Sequence, residues 1–597
     1  MLHNIQQQRV KKPGSITTTV FLDIKGAFDH VSKERLLLIL RQLSLPETLV
    51  KWVSSFMSDR KIQLAFDGQA QEKVEILTGV PQGSPVSPIL FQIYIRDIIS
   101  ERGYQLSYVD DFSISVASKS ARKNCKEIEE IVASLSRLAA TKVVQFDLDK
   151  TELIHFHTKR STIDEGIVVG SQTIKPKSVV RWLGVFFDTK LTFKDHVEKK
   201  LDQATSTFHQ LQRLGSTQKG LSFRALRQLY IACVTTIADY GIQLWWRKKG
   251  IQALVNRYQR LQNLAVARAL GAFKGSPSRA LELEAAVPPP GVRFEKACTM
   301  YSLRTLLFQL NHPIKAVGNS YSRDELADLE DSDQAAIQYI QPTTQLLQLL
   351  ARLKKAVGSN WNIEKVRAQW EAPWAARPLA TVSITGSGKA KAMEEHLELL
   401  HSIPNHFDES VVYYTDGSQG KLGGSTANSA AVCQWGDNSP VQAQYWNLGS
   451  AIEVADAEVV AIVKALELAI AQWEQPSYCY IFSDSQAAIQ RLEGFSFYAQ
   501  KAKGLLAQLS RQDTQVYIHW CPSYMGIAGN ELADQLAKKG LAAKPNRRDI
   551  YVSLSHLRRK AKEATIVSWK DDWEREASVE KQGLRARGLG KLYRIIA

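Results

Sequence analysis

Two carboxylates stand side by side in Tyr108-Val109-Asp110-Asp111, and a third lies upstream at Asp23 in FLDIKGAFD. Like charges a few ångströms apart repel and raise each other's pKa. A protein tolerates such a pair at a tight turn when a divalent cation neutralises it. An ordinary polar hairpin turn, where Asp is common, accounts for the same residues without an ion. Leu106 and Tyr108 before the pair, and Phe112, Ile114 and Val116 after it, follow period two. Strand, acidic turn and strand would therefore lift both carboxylates to one end of a sheet. A second acidic set lies far downstream. Asp416 ends the strand-like VVYYTDGS, Asp484 ends SYCYIFSDSQ, and Asp534 lies in the helical NELADQLAKK. Glu458 sits in DAEVVAIVKALELAI, where Ile462 and Ala465 continue its helix face. Taken singly, each of these four reads as a solvated surface acid.

The elements that must position these groups fall into blocks. At 597 residues the chain predicts several domains, each able to bury a core. From Thr17 to about Asp195, β-branched and aromatic runs alternate with helical stretches, as in an α+β domain. SKERLLLILRQLSLP reads as a capped amphipathic helix stopping at Pro46, and ARKNCKEIEEIVASLSRLAATKVV as a second helix leading to a strand. From about Phe208 to Leu400 the pattern is helical. VPPPGV (287–292) and SITGSGKAKA (383–392) are candidate linkers. A strand-rich pattern begins at Val411 and closes in GNELADQLAKKG, followed by a basic helical tail containing SHLRRKAKEA. The expected domains are 1–200, 201–400, 405–545 and 546–597. No internal repeat is visible, which excludes a solenoid.

The balance of 44% hydrophobic and 9% aromatic residues excludes global disorder. A net charge of +16 favours a polyanionic partner, nucleic acid first and an acidic membrane surface second. Cysteines at 125, 233, 298, 433, 479 and 521 form no C-x-x-C pair, so neither a disulfide framework nor a zinc knuckle is expected. MLHNIQQQRVKKPGS lacks a signal peptide's apolar core, and no stretch reaches the roughly 18 apolar residues of a membrane span. The expectation is an intracellular protein of nucleus or cytoplasm.

Between Asp23 and the Asp110-Asp111 pair, GVPQGSPVSPILF (79–91) forms a Gly/Pro-rich loop whose backbone can approach a ligand closely. FLDIKGAFD, GVPQGSPVSPILF, YVDD, DLDKTELIHF and RWLGVFFDTKLTFKDHV, in that order, resemble the palm of reverse transcriptases of the non-LTR retrotransposon type, specifically the fungal LINE group. The resemblance implies in-line attack of a primer 3′-hydroxyl on a dNTP, directed by an RNA template. Two Mg²⁺ ions (Mn²⁺ is the alternative) would be held by Asp23, Asp110 and Asp111. It makes Phe28 the aromatic that blocks a ribose 2′-hydroxyl, where the plain reading is a core aromatic. Gln82 and Gly83 become contacts to nucleotide and template. Lys150, otherwise a solvated surface lysine, becomes an aid to pyrophosphate departure, and RWLGVFF, with Trp182 and Gly184, a primer grip. Only 22 residues precede Asp23, where this family carries a basic fingers region. The expectation is an N-terminally truncated frame with feeble polymerisation, since clamping of transferring phosphates contributes several kcal/mol.

TDGS, AE-x-x-A, SDSQ and GNELAD together resemble type-1 ribonuclease H, expected as a five-stranded mixed sheet with helices. The resemblance makes Asp416, Glu458, Asp484 and Asp534 the ligands of two further Mg²⁺ ions that serve to cut the RNA strand of an RNA–DNA hybrid. The 2′-hydroxyls of that strand supply the RNA requirement. The loop before the last helix carries a histidine in that family, whereas Pro522-Ser523-Tyr524-Met525-Gly526 places Tyr524 there. A phenol of pKa ~10 does not shuttle protons near neutrality, so slower cleavage is expected. The helical middle resembles a thumb and connection in position, with Arg257, Arg260 and Arg268 as backbone-tracking cations or a solvated face. A degenerate remnant that binds nucleic acid with little turnover is the alternative.

Overall fold

The chain was analysed as a computed structural model. It describes residues 1–98, 102–215, 220–246, 252–273, 275–305, 308, 312–314, 348, 362–363, 380–383, 388–403, 409–422, 425–436, 439–494, 496–544 and 551–586. These residues gather into two compact units, one from Met1 to Gly291 and the other from Val292 onward.

The first unit is built on an antiparallel sheet of four strands. They are β1 (Ile16–Ile24), β2 (Tyr104–Tyr108), β3 (Asp111–Ser118) and β4 (Phe146–Phe156), in the order β2-β3-β1-β4. β1 is Thr/Val/Phe-rich and buried along almost its whole length, as a central strand covered on both faces must be. Helix α1 (Lys33–Gln42) starts where Ser32 Oγ accepts from the Arg35 N–H, the capping arrangement the sequence predicts. Helices α2 (Ser87–Ile95) and α3 (Ala121–Thr141) complete the cover. Leu36, Leu40, Phe91, Tyr94, Ile128 and Leu135 pack with Val20, Leu22 and Ile114 in one core. The hairpin β5 (Val179–Trp182) and β6 (Val185–Asp188) follows, then the helices α4 (Lys194–Leu211) and α5 (Gln252–Leu270). Arg257 on α5 pairs with Asp202 at 3.2 Å and Glu198 at 3.4 Å, so this arginine braces two helices.

The second unit takes in α6 (Pro290–Thr305) from Val292 on and is organised by a mixed sheet. Its strands are β7 (Ala380–Ser383), β8 (Ser410–Leu422), β9 (Ser425–Gly436), β10 (Ser439–Gly449), β11 (Tyr478–Ser483) and β12 (Gln515–Trp520). The order is β7-β12-β11-β8-β9-β10, parallel from β7 to β8 and antiparallel beyond. The sheet therefore has six strands where five were expected. The extra one, β7, ends at Ser383, the first residue of the expected linker SITGSGKAKA, and helix α7 (Lys389–Ser402) starts inside that linker. Residues 384–387 lie outside the described set. α7 is structured because Met393, His396, Leu399 and Leu400 pack beside Val412, Tyr414 and Phe482, on one face of the sheet.

On the other face lies α8 (Val454–Ile470), with Ala457, Val459, Val460, Ala461, Ile462, Val463, Ala465 and Leu466 all buried. Its broad apolar face seats it against the sheet, while Lys464 and Glu467 pair on its partly exposed side. It is flanked by α9 (Phe497–Arg511), whose Tyr498, Ala502, Leu506 and Leu509 join the same core. α10 (Ala528–Gly540) and α11 (Leu554–Ala586) follow. Among the described residues no helix is long and apolar enough to cross a membrane.

Candidate active sites

In the first unit β1 and β3 pair with Asp23 opposite Asp111, and β2 pairs with β3 with Tyr108 opposite Asp111. Val109 and Asp110 thus form the two-residue turn, and Val109 takes φ 59°, the left-handed twist such turns require. The hairpin read from the sequence is present. Burial first, then the charges of Asp110 and Asp23, push the Asp111 carboxyl above its usual range.

A cavity of about 670 Å³ is lined by Asp23, Phe28, Gln82, Gly83, Asp110 and Lys150, among others. The Gly/Pro loop is moored there by backbone. Gly79 N–H donates to Val31 O at 2.9 Å and Val80 N–H to Phe28 O at 2.8 Å. A Cβ on Gly79 would lie 2.8 Å from Phe28 O, and φ is +80°, so only glycine fits. Gln82 donates to Asp29 Oδ1 at 3.2 Å. Phe28 also packs on Phe91, 5.3 Å between ring centroids, so it is both a core aromatic and a wall of the cavity. Lys150 Nζ, on a side chain that stays solvent-exposed as the plain reading has it, lies 2.8 Å from Asp23 Oδ2 and 3.6 Å from Asp147.

Trp182 and Gly184 do not line this cavity. Trp182 packs on Phe21 of β1, 5.6 Å between centroids, with its Nε1 buried and unpartnered among the described residues. Gly184 (φ +76°) turns the β5–β6 hairpin beneath Tyr240, whose hydroxyl donates to Leu183 O at 2.9 Å.

The second unit brings its acids together. Asp416 lies on β8 and Asp484 just beyond β11, two strands that run parallel in register from Ser410 and Tyr478. Glu458 on α8 meets them because Gly417 has no side chain: a Cβ there would sit 2.5 Å from the Glu458 amide nitrogen. Oxygens of Asp416, Glu458 and Asp484 lie within 4.8 Å of one another, the one such acidic group among the described residues. The surrounding apolar core explains the electrostatics. Burial, then Asp484 and Asp534, raise Asp416 to about 7; burial, then Asp416 and Asp484, raise Glu458 to about 9. Asp484 is raised chiefly by burial, against a hydrogen bond from Asn530. Among the described residues, Glu458 Oε2 is buried with no hydrogen-bond partner. A buried, unpartnered carboxylate oxygen in a cluster of acids fits a cation.

Asp534 lines the same cavity of about 340 Å³ but stands outside the trio, held at 2.6 Å by Lys538 one helical turn on. Tyr524 is 81% exposed at the rim, with φ 57°. Sequence reasoning missed three contributors. Lys538 was legible as an i, i+4 partner of Asp534, and Asn530 lies within the quoted GNELAD. Lys389 carries no local signal; it arrives from α7 and donates to Ser523 O at 3.3 Å beside Tyr524.

Residues 1–187 match the family described as reverse transcriptase (RNA-dependent DNA polymerase), and residues 408–542 match RNase H. The chain thus carries a reverse transcriptase domain followed by an RNase H domain. The probable RNA-directed DNA polymerase from transposon BS of Drosophila melanogaster is 26% identical over 259 residues, 41% of this chain and 28% of that protein. The RNA-directed DNA polymerase from mobile element jockey of the same species is 25% identical over 295 residues, 48% of this chain and 32% of that protein. With these relatives, the pair of domains is that of a non-LTR retrotransposon reverse transcriptase with a C-terminal RNase H; insect relatives do not bear on the fungal subtype. The chain spans about a third or less of the length of the curated relatives it matches. RNase H1 from Halobacterium salinarum NRC-1 is 22% identical, covering 22% of this chain and 97% of its own at a TM-score of 0.19.

Proposed function

We propose that the chain cuts the RNA strand of RNA–DNA hybrids at the Asp416 site and carries a weaker RNA-directed DNA polymerase palm at the Asp23 site. The observation that carries the reading is the Asp416–Glu458–Asp484 cluster, with a Glu458 oxygen buried and unpartnered among the described residues. All-oxygen donors suit a hard divalent ion, Mg²⁺ or Mn²⁺. Asp416, Glu458, Asp484 and Asp534 would hold two ions, which when bound neutralise charge at the phosphodiester and lower the pKa of the attacking water. The chain's own residues prepare that site. Asn530 orients Asp484, Lys538 holds Asp534 at the edge of the cavity, and the apolar bed of α8 keeps Glu458 dehydrated.

In the palm, Asp23, Asp110 and Asp111 would hold a second pair of ions. Phe28 would abut the dNTP sugar, Gln82 and Gly83 would meet nucleotide and template, Lys150 would assist pyrophosphate, and Trp182 and Gly184 would brace the DNA primer end. The Lys150–Asp23 ion pair favours a second reading for this half, a palm that binds nucleic acid and extends primers feebly, because a metal must first displace the ammonium.

The test is hybrid cleavage by the full chain with Mg²⁺ or Mn²⁺. RNA should be cut in the hybrid and left intact as a single strand, and Asp484→Asn should lower the rate by ~100-fold or more. Equal cleavage by that variant sinks the assignment.

A further inference from the structure

The first described residues of the basic tail, 551–561, pack against the RNase H unit. Leu554 and Leu557, on the first turns of α11, are buried with Val552, Ala451 and Leu303 of α6 in a separate apolar cluster. The backbone joins in, Ser553 N–H donating to Ala451 O at 3.0 Å. Ala451 belongs to the turn that launches α8, the helix of Glu458. On its other side Asn428 Nδ2 donates to Ile452 O at 2.8 Å and to Gly449 O at 3.2 Å.

Glu453 is the N-cap residue of α8, its N–H donating to Asp456 Oδ2 at 3.4 Å. Its carboxylate is gripped from α11: Arg559 Nε lies 2.7 Å and His556 Nδ1 3.2 Å from Glu453 Oε1. Arg559 also binds Glu563. Asp456 is held in turn by Arg491 at 3.0 Å. Glu458 is five residues beyond Glu453, about 7.5 Å along the helix axis, and Val454, between them, lines the acidic cavity. The end of α8 that carries the metal-facing carboxylate is therefore seated by residues beyond the stretch 408–542 that matches RNase H.

We propose that residues 551–561 form a brace for the RNase H site, with His556 and Arg559 as positioning residues that fix the start of α8 through Glu453 and so hold Glu458 against Asp416 and Asp484. The geometry must be held to about half an ångström for a carboxylate cluster to bind its ions productively, and an uncovered Ala451 turn would let the first turn of α8 fray.

This inference rests on the ribonuclease reading for its catalytic arm, so the experiment has a second arm that does not. In the full chain, Arg559→Met combined with His556→Phe removes the grip while keeping bulk, and Arg559→Lys with His556 intact is the conservative control. Steady-state hybrid cleavage should show kcat down about tenfold with KM within twofold, and Arg559→Lys should recover most of the loss. Hydrogen exchange over 452–460 should quicken about tenfold in the double variant, whether or not the chain turns over, while the peptides of β8 and β11 stay protected. Unchanged exchange over 452–460 overturns the brace, as does a loss confined to KM, which would make the tail a substrate contact. Loss of protection throughout β8 and β11 also overturns it, since α11 would then be holding the fold and not the site. A parent chain that cleaves nothing defeats the ribonuclease reading and leaves the exchange arm to judge the brace.

Discussion

At the scale of single residues, the two sites differ in how their charges are balanced. In the RNase H domain, burial and neighbouring carboxylates raise Asp416 to about 7 and Glu458 to about 9, so both hold their protons more tightly than ordinary carboxyls. These carboxyls are raised above their ordinary range, so protonation is favoured until pH passes the raised values, and ion binding tightens as pH climbs from about 6 to 9. Calorimetric titration with Mn²⁺ near pH 7.5 in buffers of different ionisation enthalpy should report net proton release on binding; zero release contradicts the assignment. Tyr524 is the residue for a gain of function. It stands exposed at the cavity rim with a left-handed backbone that histidine tolerates. Tyr524→His should raise hybrid cleavage on the order of tenfold, below the ~10²–10⁴ of an optimally placed acid–base group. A rate that stays flat or drops assigns the loop another task.

At the scale of elements, helix α7 shows how packing creates structure where composition suggests a linker. Its His396 is buried between Tyr414 and Phe482, Nε2 lying 3.0 Å from the Tyr414 hydroxyl. Burial, then the nearby His519, lower its pKa to about 4. A histidine whose folded pKa lies below its unfolded value stabilises fully above the unfolded pKa, and that stability is lost as pH falls from about 6.5 towards 4. The loss amounts to about 3 kcal/mol. The melting transition that Mn²⁺ shifts should therefore drop between pH 7 and pH 4.5, and His396→Phe should flatten much of the drop; an unaltered slope in the variant refutes the mechanism. The sequence read most of α7 as part of the helical run to Leu400 and only its first residues, 389–392, as linker; the packing partners that order those residues lie on strands outside the helix.

At the scale of the whole molecule, two acidic sites occupy two compact units. Effects of mutations that share no partners add. Asp110→Ala should abolish whatever primer extension the chain supports and leave hybrid cleavage within twofold, while Asp484→Asn should do the reverse. Parallel primer-extension and hybrid-cleavage assays on each variant check this, and a variant that silences both activities would reveal coupling between the units.

What the sequence determined by itself was local placement: which carboxylates stand on which strands, turns and helices, and in which order. That information is local, because period-two runs, an Asp-Asp turn and a Ser32 cap act through neighbours in the chain. The palm hairpin, the β8 and β11 carboxylates and the central helix of Glu458 were all legible in this way. Tertiary structure alone decided which acids converge. It drew Asp416, Glu458 and Asp484 together by letting Gly417 pass against α8, kept Asp534 on Lys538, and set Lys150 on Asp23. It also added the sixth strand, the α7 helix and the α11 brace. Those depend on contacts between separate elements, from His396 on Tyr414 to Leu554 beside Ala451 and Leu303, which local patterning does not encode.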